Sequence, residues 1–154
     1  MKKDIRTIST KELEEFFLQN KQKSFVAKQI MEWLWKKSKS SFSEMKNISK
    51  LNRELLDSNF IINSINSDEI QVSSDKTIKT KFKLFDGYTV EGVLIPQNKR
   101  MTACISSQVG CSLSCKFCAT GTMDRKRNLS AGEIYDQVVH ISRQAKENYN
   151  FSLS

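Results

Sequence analysis

Three cysteines, Cys111, Cys115 and Cys118, are spaced CxxxCxxC in the segment Gly110-Cys111-Ser112-Leu113-Ser114-Cys115-Lys116-Phe117-Cys118. Three thiolates on so compact a loop can each bind one iron of a cubane cluster. Most four-iron clusters use four cysteines, so a set of three leaves one iron without a protein ligand. A vacant iron can chelate the amino and carboxylate groups of S-adenosylmethionine. Electron transfer from the cluster then cleaves the sulfonium to a 5′-deoxyadenosyl radical, and the protein's part is to hold and tune the cofactor. Zinc is the rival ligand. A structural zinc site wants four ligands, usually in two separated pairs. Here the fourth would have to be Cys104, seven residues upstream, or the lone His140. The spacing favours the cluster.

The neighbouring residues have plainer readings. Phe117, between two of the cysteines, packs the loop or the adenine of the cofactor. His140 lies inside a helix as a satisfied histidine and is given no role. Glu91 on a strand reads as an exposed glutamate in a salt bridge, and Cys104 as a buried strand cysteine. All four cysteines fall between 104 and 118. Such clustering, in a chain whose start MKKDIRTIST has no apolar signal segment, indicates a metal site in a reducing, cytoplasmic compartment. No stretch approaches the ~20 apolar residues of a membrane span, so no membrane association is expected.

The elements around the loop change character along the chain. Residues 1–60 read as helical. Ser9-Thr10-Lys11-Glu12 is a capping box ahead of Leu13, Phe16 and Phe17. Ser24 is placed to cap a second helix with Val26, Ile30, Trp33 and Leu34 at helical spacing and Lys36 and Lys37 in its last turn. A third helix starts at Ser49, with Leu51, Leu55 and Leu56 apolar. The tryptophans and phenylalanines read as core rather than as base-stacking platforms. After residue 65 the pattern alternates. Ile70, Val72 and the run Thr77 to Phe85 lead to Asp86-Gly87, a two-residue hairpin turn. Tyr88 to Ile95 returns and ends at Pro96. Met101 to Ser107 is a further strand before the cysteine loop. Ser130-Ala131-Gly132-Glu133 opens a helix with Ile134, Val138, Ile141 and Ala145 on one face, and Tyr149 to Ser154 begins another strand.

The fold class expected is α+β followed by α/β. It comprises a small helical N-terminal domain over 1–65, a β-hairpin over 66–98, and the first βα unit of a (β/α) barrel over 99–154. A whole barrel takes ~200 residues or more. The chain has 154, so it is expected to be the N-terminal part of a longer protein. Formal net charge is +8, which suits either a polyanionic partner or a lysine-rich solvated surface.

The run Cys104-Ile105-Ser106-Ser107-Gln108-Val109-Gly110-Cys111 and the cysteine loop after it resemble the radical S-adenosylmethionine (radical-SAM) RNA adenine-C2 methyltransferases. Arg127-Asn128-Leu129-Ser130-Ala131-Gly132-Glu133-Ile134 and Val90-Glu91-Gly92-Val93-Leu94-Ile95-Pro96 resemble them too. So do Ala27-Lys28-Gln29-Ile30 with Trp33, then Phe42, Met45 and Ile48-Ser49-Lys50. The resemblance spans essentially the whole chain. It implies an RNA-binding N-terminal accessory domain and a radical-SAM partial barrel. It implies that Cys111, Cys115 and Cys118 ligate a [4Fe-4S] cluster, with S-adenosyl-L-methionine as second cofactor. It implies 23S rRNA and tRNA as substrates, a flavodoxin-like electron donor and a monomer. It makes Glu91 a proton acceptor and Cys104 a cysteine that helps release an enzyme–RNA adduct by taking a proton.

Adenine C2 lies between two ring nitrogens and is too electron-poor to attack a methyl sulfonium. The family places the methyl group on a protein cysteine first. That cysteine, expected outside these 154 residues, would leave the chain alone unable to methylate. The related adenine-C8 methyltransferases, other radical-SAM enzymes and a zinc or RNA-binding module are the alternatives.

Overall fold

The computed structural model describes residues 1–98, 100–111 and 123–152. The described chain forms a mixed α/β structure in two compact units, 1–63 and 64–154.

The first unit is built on three helices, α1 (Thr10–Gln19), α2 (Phe25–Trp35) and α3 (Lys50–Asn59). At α1 the capping box is complete: Ser9 Oγ accepts from the Glu12 amide and the Glu12 carboxylate accepts from the Ser9 amide. This satisfies two amide donors that a bare helix start would leave unpaired. Ser49 caps α3 by accepting from the Asn52 amide. At α2 the expectation fails in part: Ser24 occupies the cap position in helical geometry and its side chain makes no capping bond. The amides of Val26 and Ala27 instead use the carbonyls of Lys23 and Ser24 in a tight first turn.

The core holds Ile5, Leu13, Phe17, Ala27, Ile30, Leu34, Met45 and Leu56, with Trp33 and Trp35 packed against it. Leu51, expected on the apolar face of α3, is exposed. A short parallel pair, β1 (Lys3–Asp4) with β2 (Phe60–Ile61), joins the two ends of the unit. Hydrophobic alternation gives no sign of strands this short.

The second unit carries a four-stranded sheet in the order β3 (Asn66–Val72), β4 (Ile78–Lys83), β5 (Thr89–Gln97), β6 (Arg100–Cys104), antiparallel throughout. The β4–β5 turn spans Phe85-Asp86-Gly87, three residues rather than the two expected. Leu84 N–H donates to the Tyr88 carbonyl, and Gly87 takes φ +87. A third residue in left-handed geometry completes this turn class, and only glycine enters that region without strain.

One face of β4 and β5 buries Ile78, Phe82, Val90 and Leu94 with Ile141 and Ala145 of α4 (Ala131–Tyr149). Gly92 allows the close approach, since a Cβ there would lie 2.8 Å from the Phe82 ring and 3.0 Å from Ile141. Beyond α4 the expected strand does not begin within the described residues. The helix runs on to Tyr149 and closes at Asn150 in left-handed geometry. Phe151 N–H then reaches back to the Ala145 carbonyl, a helix stop that turns the chain away from strand geometry.

Candidate functional site

The cysteine loop is held at a neck. Incoming β7 (Gln108–Val109) pairs antiparallel with outgoing β8 (Arg127–Asn128). Inside that ribbon Lys126 N–H donates to the Val109 carbonyl at 2.9 Å and Cys111 N–H to the Met123 carbonyl at 3.0 Å. Gly110 takes φ +70, and a Cβ on it would lie 2.2 Å from the Asp124 carbonyl oxygen. The two arms therefore touch at backbone distance, and only glycine fits between them. Cys111 stands half-buried at this neck. Cys115, Cys118 and Phe117 lie outside the described residues.

Helix α4 grips both arms. On the outgoing side Arg127 forms a bidentate pair with Glu133, at 2.7 and 2.9 Å, and its Nε donates to Asp86 Oδ2 at 2.6 Å. Glu133 is 1% exposed. It also closes the α4 capping box, accepting from the Ser130 amide while its own amide donates to Ser130 Oγ. Burial pushes the Glu133 carboxyl up. The Arg127 hydrogen bonds and charge and the Ser130 amide outweigh that, and the net shift is downward. Asp86 is likewise lowered, with burial opposing and Arg127 prevailing. Arg127 is raised, chiefly by its bonds to Glu133 and Asp86.

On the incoming side Gln137, fully buried, holds Ser106 by both backbone groups. Its Oε1 accepts from Ser106 N–H and its Nε2 donates to the Ser106 carbonyl, each at 2.9 Å. Ser106 Oγ in turn donates to the Glu91 carbonyl at 2.8 Å.

Glu91 and Cys104 fall on the same open face of the sheet. Cys104 is directly opposite Val93, and Glu91 is two residues before Val93 on the same side of β5. Side chains in that diagonal relation on adjacent strands are within reach of each other's surroundings. Cys104 is exposed, contrary to the buried reading, because β6 is an edge strand whose open face is uncovered among the described residues. Glu91 Oε1 pairs with Lys79 Nζ at 2.9 Å, both about half exposed. A cavity of about 160 Å³ links this face to the loop neck; its walls include Lys81, Glu91, Ser106, Gln108, Gly110 and Met123.

His140 packs edge-on against Phe82, ring centroids 5.5 Å apart, and burial followed by the Arg143 charge lowers its pKa. It is not among the residues that line that cavity.

Sequence reasoning missed Gln137, Arg127, Asp86 and Lys79 as parts of this arrangement. The buried stripe of α4 is Glu133, Gln137, Ile141 and Ala145, a spacing of four. Its first two members are polar, so a search for apolar periodicity selected Ile134 and Val138 instead.

Among the described residues no group of three or more His, Cys, Asp or Glu side chains gathers to hold a metal ion. The donor set nevertheless suits an iron–sulfur cluster. One thiol sits at a rigid, glycine-closed neck, and two more follow within seven residues of sequence.

Residues 3–62 match the family described as the ribosomal RNA large subunit methyltransferase N-terminal domain. A crystal structure of a radical SAM methyltransferase from Sphaerobacter thermophilus is similar at a TM-score of 0.80 and 34% identity, covering 98% of this chain and 44% of that one. The mixed α/β fold described above is thus similar to part of a radical-SAM methyltransferase.

A probable dual-specificity RNA methyltransferase RlmN from Cytophaga hutchinsonii is 60% identical over 153 residues, 99% of this chain and 42% of the relative. One of the same description from Flavobacterium psychrophilum is 54% identical over 99% of the chain and 44% of the relative. Residues 3–62 thus carry that N-terminal domain, and the chain as a whole is similar to the N-terminal portion of RlmN methyltransferases. It spans less than half the length of these relatives.

Proposed function

We propose that the protein is a radical-SAM methyltransferase that methylates carbon 2 of an adenine in 23S rRNA and in tRNA through a methyl-cysteine. The observation that carries this reading is the cavity shared by Glu91 and the neck residues Gly110 and Met123, with Cys104 on the same face of the sheet. In this reading Cys111, Cys115 and Cys118 hold a [4Fe-4S] cluster at the neck, Phe117 packs beside it, and the sheet is the first part of a partial barrel. The cluster, when bound, supplies the electron that splits S-adenosylmethionine; a flavodoxin-like protein restores that electron.

The chain's own residues then have separate tasks. The Gly110 neck and the α4 grip fix the direction from which Cys111 presents its sulfur. The Glu91 carboxylate, braced by Lys79 Nζ, accepts the proton given up by the substituted ring. Cys104 helps release the enzyme–RNA adduct by taking a proton. Residues 1–65 form the RNA-binding accessory domain, 66–98 the hairpin, and 99–154 the start of the catalytic domain, in a monomeric cytoplasmic enzyme.

Deletion of the gene, followed by mass spectrometry of nucleosides from purified 23S rRNA and tRNA, tests the assignment. Loss of 2-methyladenosine from both RNAs is expected. Loss of 8-methyladenosine would instead favour the adenine-C8 alternative, and an unchanged nucleoside profile would refute both.

A further inference from the structure

The first unit carries a groove that the reaction chemistry leaves unused. It measures about 340 Å³, and its lining includes Lys21, Lys23, Phe25, Ser49 and Asn52. Asn52 is 6% exposed, and its side-chain oxygen has no hydrogen-bond partner among the described residues. A buried acceptor without a donor is costly, so this one suits a ligand that brings an N–H group.

Phe25, first residue of α2, is 53% exposed where the other core-directed residues of its helix are covered. Lys23 Nζ lies 5.9 Å from its ring centroid. The groove also meets the start of α3, where the Asn52 amide is capped by Ser49 and the helix end favours negative charge.

An aromatic face, two lysines, a helix start and a lone amide acceptor together match one chemistry: a base to stack, a base N–H to accept from, and a phosphate to neutralise. We propose that this groove binds one unpaired nucleotide of RNA, its base on Phe25 with an N–H to Asn52 and its phosphate toward Lys21, Lys23 and the α3 N-terminus. The proposal rests on the reading that the protein acts on RNA, and gives that RNA a contact remote in sequence from the cysteine loop.

Fluorescence anisotropy with the full chain and a labelled single-stranded RNA hexamer tests it, with circular dichroism melts to confirm folding. Phe25→Ala should weaken binding about five-fold or more, and Phe25→Trp should restore it, since stacking tolerates any aromatic face. Lys21→Ala with Lys23→Ala should lower the dependence of log affinity on log salt by about 0.7, one single-strand phosphate contact. Asn52→Leu should change the preference among A-, C-, G- and U-rich hexamers. If the native chain binds the hexamer and all these variants stay within two-fold of it, the groove assignment is overturned and the methyltransferase reading stands. The assignment also fails if an acidic peptide competes as well as RNA. A native chain with no affinity for RNA removes the RNA reading itself.

Discussion

At the residue scale the neck glycine makes the sharpest demand. Gly110 has φ +70 and no room for a Cβ beside Asp124. Gly110→Ala should cost roughly 2 kcal/mol or more, combining left-handed strain with a backbone clash. Thermal melts should show the loss, and iron uptake should fall with it. Glu91 is the contrast. Its pair with Lys79 is half exposed, and such pairs contribute about 1 kcal/mol at most. Glu91→Gln should therefore leave the melting temperature almost unmoved while slowing turnover by orders of magnitude, with covalent protein–RNA species accumulating on denaturing gels. A turnover rate near that of the native enzyme would remove Glu91 from the proton-accepting role.

At the element scale α4 acts as the buckle of the cysteine loop, through Glu133 on one arm and Gln137 on the other. Gln137→Leu removes the partner of the part-buried Ser106 N–H and carbonyl, about 1 kcal/mol for each, the lower end for an unsatisfied buried group. Hydrogen exchange should accelerate at Ser106 to Cys111 more than in β4. Arg127→Met should destabilise by about 3 kcal/mol, the lower end for breaking a buried pair, because the arginine is partly exposed.

The same clamp sets a pH dependence. Glu133 and Asp86 both have folded pKa values below their unfolded ones, so the unfolded chain binds more protons as pH falls through the carboxylate range. Their stabilisation is full above the unfolded values, near pH 4, and is lost as pH drops through the lower folded values. Acid titration of native protein and Arg127→Met, followed by circular dichroism, should show the variant losing less stability over that range.

The element scale also divides what could be read from sequence from what could not. Ser9, Ser49 and Ser130 announced their helices because a hydroxyl three residues before a paired amide is a local signal. Asp86-Gly87 announced its hairpin for the same reason, although the turn proved one residue longer. Gln137 and Arg127 gave no such signal. Their partners, Ser106 and Asp86, lie 31 and 41 residues away, and a polar residue in a buried stripe looks like a surface residue until its partner is known. Ser24 misled because cap preference does not ensure cap geometry.

For the whole molecule, two units each possess a hydrophobic core. A fragment of residues 1–63 should therefore melt cooperatively by itself with a helical spectrum; a non-cooperative melt would show that its core is insufficient. The likeness to the RlmN methyltransferases was legible from motifs spread along the chain, whereas Cys115 and Cys118 lie outside the described residues. The face shared by Glu91 and Cys104 was not legible, because it depends on the β5–β6 register.

The proposed chemistry requires three thiolates holding a cluster with an open iron. Anaerobic reconstitution with iron and sulfide, followed by metal analysis and electron paramagnetic resonance of the reduced protein with and without S-adenosylmethionine, tests this directly. The prediction is about four irons per chain and a spectrum that shifts when S-adenosylmethionine is added. One tightly held zinc, or an iron signal indifferent to that addition, would contradict it.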